Sequence, residues 1–310
     1  MEISENAEKE FNNMNKIFKE IAGPGSKTAM GVLLARFFES QKPEDERICY
    51  DPYAVYFINP EILEWGAHHP DEAKIMQEQL DRFFPGRNNS IVARVRFFDD
   101  FVKKSIDEGI EQLVILGAGY DSRAYRIEGL KKIKTFEVDH PATQNIKMEK
   151  IRMIFGSLPD HVVYVPSDLE TENFGQKLIN MGYDRHIKTL FLMEGLLMYL
   201  QPEVVDEILS FIVKNSGKNS SILFDYFPQS AVDGSSKLEA GRNIRNQVSQ
   251  LGEPFKFGIK EGTVDTFLTQ RGFTQVCNVT IEDCKKAYFQ GINKNRIVDS
   301  LKSFVYAIVQ

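Results

Sequence analysis

The residues best placed to do chemistry are a glycine turn and a set of acids. In Leu113-Val-Ile-Leu-Gly117-Ala118-Gly119-Tyr-Asp121 a short apolar run leads straight into Gly-Ala-Gly. Glycine has no side chain, so backbone there can come close to a ligand, and a helix start beyond it favours negative charge. Twenty residues after Gly119 stands Asp139. That spacing suits a carboxylate bonded to the two hydroxyls of a ribose. Asp168, Glu194 and Asp225 each follow a further apolar run. If those runs are strands of one parallel sheet, the acids share its carboxyl edge, where such sheets bind ligands. The structural alternative is that each acid caps the helix after it. Four in register favour a ligand.

Two cofactor classes fit a glycine turn followed by a ribose acid. A dinucleotide fingerprint, Gly-x-Gly-x-x-Gly/Ala, needs a third small residue for close helix–strand packing. Ser122 and Arg123 occupy that region here. S-adenosylmethionine has no phosphate and needs only backbone approach, a ribose carboxylate and an apolar slot for adenine. Gly-Ala-Gly suits it better. A nicotinamide-dependent oxidoreductase is the alternative enzyme. A non-catalytic S-adenosylmethionine-binding protein is the alternative outside enzymes.

The elements that must position these residues follow from periodicity. Residues 8 to about 108 are expected to be mostly helical, with apolar positions at helical spacing in 27–40, 71–84 and 89–104. From about 112, apolar runs at 113–116, 134–138, 162–165, 189–193 and 221–224 alternate with helical stretches at 142–155, 174–181 and 203–215. This alternation predicts βαβ units and a doubly wound, mostly parallel sheet. Runs at 273–280 and 303–309 bring the strands to seven and predict an antiparallel insertion at the edge. The expected layout is one domain over 1–310: a helical cover to about 108, a sheet core, and an inserted lid at about 226–262.

Composition narrows the partners. The 310 residues carry 38 Lys+Arg and 44 Asp+Glu, a net charge of −6, with 42% hydrophobic and 26% charged residues. Those are globular proportions, not those of a disordered chain. No basic face interleaved with aromatics suggests nucleic acid. Cys49, Cys277 and Cys284 form no CxxC pair, and His68-His69 lacks clustered ligands, so neither a disulfide framework nor a metal site is expected. Residues 1–20 do not read as a signal peptide, and no apolar stretch reaches spanning length, so the cytoplasm is the expected location and no membrane partner is expected. The oligomeric state is left open.

Leu113–Ile127, reading LVILGAGYDSRAYRI, resembles the first motif of leucine carboxyl methyltransferase-type proteins, which are class I S-adenosylmethionine-dependent methyltransferases. The likeness continues through Phe136-Glu-Val-Asp139-His-Pro141, Ser167-Asp168-Leu169 and Met193-Glu194-Gly195-Leu-Leu-Met-Tyr199-Leu200. Upstream it takes in Ala93-Arg94-Val95 and Asp51-Pro52-Tyr53-Ala54, and downstream Gly252-Glu-Pro-Phe255 with Gly258. It spans about residues 26–275 and is most similar to the polyketide O-methyltransferase branch. The resemblance implies a Rossmann-like fold, S-adenosyl-L-methionine as cofactor and S-adenosyl-L-homocysteine as product. It places Gly117, Ala118 and Gly119 against the methionyl part and Asp139 on the ribose. Asp168 and Leu169 would frame the adenine, Arg94 would hold the cofactor carboxylate, and Glu194 would lie near the sulfonium.

Each placement has a structural alternative. Arg94 could be a solvated helix residue and Tyr199 a core aromatic, while His140 fits a structural role better than that of a base. Arg123 and Arg126 are expected to pair locally. Methyl transfer from a sulfonium is an in-line displacement that needs alignment more than acid–base chemistry. No His–Asp base pair stands out, which tilts the acceptor towards a small apolar or aromatic carboxylate rather than a phenol. Tyr199 and Tyr226 are candidate acceptor contacts, and a minority of the aromatics in the cover and lid could line the acceptor cavity. No catalytic residue is singled out.

Overall fold

The computed structural model describes residues 26–310. The reading of residues 1–20 as no signal peptide and the start of the helical cover fall outside the described residues. Among those described, five helices come first: α1 (Lys27–Ser40), α2 (Ala54–Phe57), α3 (Pro60–His68), α4 (Pro70–Phe83) and α5 (Arg87–Asp107). The alternating part follows as β1 (Gln112–Leu116), α6 (Arg123–Arg126), β2 (Lys134–Asp139), α7 (Pro141–Phe155), β3 (Val162–Pro166), α8 (Phe174–Asn180), β4 (Thr189–Met193), α9 (Pro202–Lys214) and β5 (Ser221–Tyr226). The chain ends with α10 (Gln229–Asp233), α11 (Glu239–Gln250), α12 (Val264–Thr269), β6 (Phe273–Thr280), α13 (Ile281–Tyr288) and β7 (Ser303–Val309).

Local chemistry sets the helix starts. Ser26 caps α1 by accepting from Ala29 N at 3.1 Å. Pro141 opens α7, with His140 as its N-cap accepting from Ala142 N. Proline suits a first helical position because no intrahelical partner awaits its missing N–H. Thr280 and Asp283 form a reciprocal capping box on α13.

The seven strands are ordered β3-β2-β1-β4-β5-β7-β6. The first five pair in parallel, and β7 lies antiparallel between β5 and β6. β1, β4 and β5 are buried along their whole length, as continuous apolar strands covered on both faces must be. Side chains alternate between two cores. Val114, Leu116, Phe191 and Phe224 pack with Ile208 and Ile212 of α9 and Leu268 of α12. Leu113, Ile115, Leu192 and Leu223 pack on the opposite face with Val95, Phe98 and Val102 of α5. Each such side chain contributes ~1.5–3 kcal/mol by leaving water.

The strand order reverses at β1, whose neighbours are β2 on one side and β4 on the other. Such a switch point opens a crevice at the carboxyl ends of the strands. Among the described residues no helix is long and apolar enough to cross a membrane.

Candidate active site

A cavity of about 550 Å³ occupies that crevice, within the ~300–1,000 Å³ usual for small-molecule sites. Gly117, Ala118, Gly119, Asp139, Glu194 and Arg94 all line it, as does Tyr199. The glycine turn, the ribose-type acid and the arginine of the long helix therefore meet in one place.

The turn needs its glycines. Gly117 and Gly119 have φ of +64° and +43°, a region that favours glycine. A Cβ on Gly117 would stand 2.8 Å from Leu196 Cδ1. Gly119 N–H donates to the Asp139 carboxylate, and His140 N–H donates to its other oxygen at 2.6 Å. These bonds aim Asp139 across the turn. Burial outweighs them and holds its pKa above the usual carboxylate value. A half-buried carboxylate facing a side-chain-free turn fits an adenosyl cofactor's ribose and methionyl parts.

Beside the turn lies a buried ion network. Arg94 Nε donates to Glu194 at 2.9 Å and its Nη1 to Asp225 at 2.7 Å. Arg123 bridges Glu194 at 2.6 Å, Asp121 at 2.5 Å and Asp99 at 2.7 Å. Arg126 pairs with Asp99 at 2.6 Å. Burial raises the Asp121 pKa, but Arg123 and Lys147 pull it down to about 2. Gly195 N–H donates to Asp225 at 2.5 Å. Glu194 is thus gripped between two guanidiniums beside the cavity. Arg94 is no solvated helix residue: its side chain is 5% exposed and its Nε and Nη1 are committed.

Three expected site residues are placed elsewhere. Asp168 closes on its own loop, accepting from Glu170 N at 3.0 Å and the Thr171 hydroxyl at 2.9 Å, and those bonds lower its pKa. Leu169 packs against the core. Neither lines the cavity. Tyr226 corrects the expectation of an acceptor contact: strand alternation turns it into the core, where its hydroxyl donates to Asn278 at 3.0 Å. Of the cover and lid aromatics, Phe38, Phe227 and Phe255 reach the cavity. His140 serves as a helix cap.

Sequence reasoning missed Arg87, Lys302 and Glu253, which also line the cavity. Arg87 and Lys302 lie in none of the motifs quoted above, and Glu253 stands in Gly252-Glu-Pro-Phe255 without a role assigned to it. Burial and the neighbouring guanidiniums Arg94 and Arg87 push the Lys302 ammonium down, against the pull of Asp299 and Asp225, to about 8. The Tyr199 phenol, buried among Thr28, Glu253, Arg94 and Arg87, is pushed up to about 12.

A seven-stranded sheet with an antiparallel β7, a glycine turn after β1 and an acid at the end of β2 define a class I S-adenosylmethionine-dependent methyltransferase. Comparison with known proteins agrees. The chain belongs to the leucine carboxyl methyltransferase family, which it matches over residues 29–213. It is 32% identical over 218 residues to a protein of Streptomyces coelicolor assigned by name as an S-adenosyl-L-methionine-dependent methyltransferase, covering 67% of this chain and 74% of that one. A similarly assigned protein of Bacillus subtilis is 24% identical, with 82% of each chain covered. Among solved structures, a DUF574-family protein of Streptomyces avermitilis superposes with a TM-score of 0.58 at 13% identity, covering 89% of this chain and 97% of that one. A Thermobifida fusca protein assigned as a methyltransferase gives 0.57 at 14% identity, covering 75% and 86%. These two structural likenesses speak to the fold alone. The protein is an S-adenosylmethionine-dependent methyltransferase, and the nicotinamide alternative is not favoured.

Proposed function

We propose that the enzyme methylates a carboxylate oxygen of a small apolar acceptor, forming a methyl ester. One observation carries this: the acids around the glycine turn are all committed, and burial raises the pKa of both phenols there, Tyr120 and Tyr199. Glu194 is held by Arg94 and Arg123, Asp121 by Arg123, and Asp139 accepts two backbone N–H groups. Tyr199 keeps its proton, its pKa being raised to about 12. A phenol acceptor, with a pKa of about 10, needs a base; a carboxylate is already ionised at neutral pH. Bound S-adenosylmethionine supplies an electrophilic methyl group on a sulfonium.

The chain's own residues bind, orient and exclude water. Asp139 receives the ribose hydroxyls, and the bare backbone of Gly117, Ala118 and Gly119 admits the methionyl part. Arg94 presents Nη2, the nitrogen it does not spend on Glu194 or Asp225, to the cofactor carboxylate. Glu194, which holds that guanidinium, would lie near the sulfonium. Residues 226–262, with α10 and α11, form a lid over the acceptor. An adenine role for Asp168 requires its carboxylate to leave Glu170 and Thr171.

The test is transfer of labelled methyl from S-adenosylmethionine to a panel of apolar carboxylic acids and phenols. A product whose label is released by mild alkali is an ester and supports the reading. An alkali-stable ether as the sole product overturns it.

A further inference from the structure

Among the described residues, two cations of the cavity have no counter-ion in contact. Among its other cationic side chains, Arg36 pairs with Asp51, Arg94 with Glu194 and Asp225, and Lys256 with Glu170. Arg87 and Lys302 also line it. Among the described residues neither side chain makes an ion pair or a hydrogen bond; the Lys302 ammonium faces the Phe227 ring at 5.6 Å. Lys302 is buried and Arg87 half-buried; a cation partly removed from water without a partner is costly, and a ligand carboxylate would supply the missing charge.

The fold brings the two together deliberately. Gly86, with φ +78°, precedes Arg87, and a Cβ there would stand 2.5 Å from the Val298 carbonyl carbon. Asn89 Nδ2 donates to Ile297 O at 2.6 Å, Asp299 N–H donates to Ser90 Oγ at 2.8 Å, and Arg296 Nε donates to Asn89 Oδ1 at 2.9 Å. The first turn of α5 is thus stitched to the segment that leads into Lys302 and β7. The wall around them is apolar: Leu80 of α4, Met198, Phe227, and Ile244 and Val248 of α11.

Position separates this end from the cofactor's ribose. Asp139 ends β2, whereas Lys302 precedes β7, four strand spacings away in the order β2-β1-β4-β5-β7, or about 19 Å at ~4.8 Å per spacing. The glycine turn on β1 and Glu194 after β4 lie between.

We propose that Arg87 and Lys302 form a clamp for the carboxylate of an apolar monocarboxylic acid, the acceptor, whose hydrocarbon body lies against α4 and α11. The clamp rests on the ester-forming reading for which group is methylated. One carboxylate oxygen stays with the cations while the other forms the new O–CH3 bond. The C–S bond breaks with its electron pair going to sulfur. An anion and a sulfonium thereby become a neutral ester and a neutral thioether, and no proton moves. The ester no longer balances Arg87 and Lys302, so the chemistry itself weakens the product's hold.

Calorimetry on the S-adenosylhomocysteine complex tests this, with octanoate and methyl octanoate as probes. Octanoate is expected to bind more tightly than its ester. Arg87→Ala and Lys302→Ala are each expected to lower octanoate affinity about tenfold or more, leave the ester unaffected and leave S-adenosylhomocysteine affinity within about twofold. Lys302→Arg, which keeps the charge, is expected to restore binding. The groups around Lys302 are Asp299 on its own segment, Arg87 and Arg94 on α5, and Asp225 on β5. Octanoate affinity is therefore expected to fall as pH rises through about 8 in the wild type and to stay level in Lys302→Arg. Equal binding of acid and ester overturns the clamp. Lost S-adenosylhomocysteine affinity also overturns it, by assigning the cations to the cofactor. Activity on a phenol that instead rises through the same pH overturns it too, by making Lys302 a base. Charge-dependent octanoate binding with transfer only to hydroxyls supports the clamp and refutes the ester reading alone.

Discussion

Asp139 joins the two halves of the proposed cofactor site, because the backbone N–H of Gly119 both orients its carboxylate and belongs to the glycine turn. Replacing it removes a charged acceptor for the ribose and leaves the Gly119 donor unpaired. Asp139→Ala is expected to weaken S-adenosylmethionine binding by ~1–3 kcal/mol, read by calorimetry; unchanged affinity would remove Asp139 from the ribose. Gly117→Ala acts on the same turn through backbone strain. Its φ of +64° disfavours any side chain, and the new Cβ would press on Leu196 Cδ1 at 2.8 Å. A loss of ~1–3 kcal/mol in urea unfolding is expected, together with weaker cofactor binding. At this scale the sequence was informative where chemistry is local. Gly117, Gly119 and Asp139 announce themselves through spacing within one βαβ unit. Arg87 and Lys302 do not, since only tertiary stitching between Ser90 and Asp299 makes them neighbours. Tyr226 was misplaced because a strand's last residues can point to either face, and pairing with β7 turned this one inward.

Strands were the most legible elements: buried runs such as Leu113–Leu116 and Leu190–Met193 are apolar, as covered parallel strands tend to be. The antiparallel insertion of β7 was legible too, from two late β runs. α13 was not, because eight residues carry little periodicity. How α1 meets the segment 226–262 was equally hidden, and it rests on one carboxylate. Glu253, just past α11, accepts from Lys27 N at 2.8 Å, from Ser26 Oγ at 3.0 Å and from the Thr28 hydroxyl. Two of the first helical N–H groups of α1 are thereby satisfied by Glu253, and an anion at a helix N-terminus is favoured besides. Glu253→Ala is expected to untie α1 from residues 239–253. Hydrogen exchange would then quicken in both segments while β1 and β4 keep their protection. S-adenosylhomocysteine should slow exchange in the lid of the wild type more than in the variant. Equal exchange with and without ligand would argue that residues 226–262 are fixed wall, not a lid.

At the scale of the whole molecule, the buried ion pairs give stability a pH profile with two limbs of opposite sign. Asp121 is buried, which raises its pKa, yet Arg123 and Lys147 bring it down from 3.8 to about 2. A carboxyl whose pKa is lower in the fold adds stability above its unfolded value and loses it as pH falls. Its contribution of roughly 2 kcal/mol should vanish between about pH 4 and pH 2. Asp99, buried but held down by Arg126 and Arg123, adds to this acid limb. Glu137 runs the other way. Burial lifts its pKa from 4.5 to about 7, although Lys147 lies 2.7 Å away and Tyr125 donates to it. A carboxyl whose pKa is higher in the fold favours folding while protonated, so its contribution is complete below about 4.5 and is lost as pH rises through about 7. The net charge of −6 at neutral pH reinforces this second limb through self-repulsion. Unfolding free energy in urea should therefore peak in mildly acidic solution, between about pH 4 and 5, and not at neutrality. The slopes assign the causes independently of how much each substitution costs in absolute stability. Asp121→Asn should make only the acid limb shallower, and Glu137→Gln only the limb between 4.5 and 7. A wild-type curve that climbs from pH 4.5 to 7 would show that Glu137 is ionised in the fold throughout, and that Lys147 outweighs its burial.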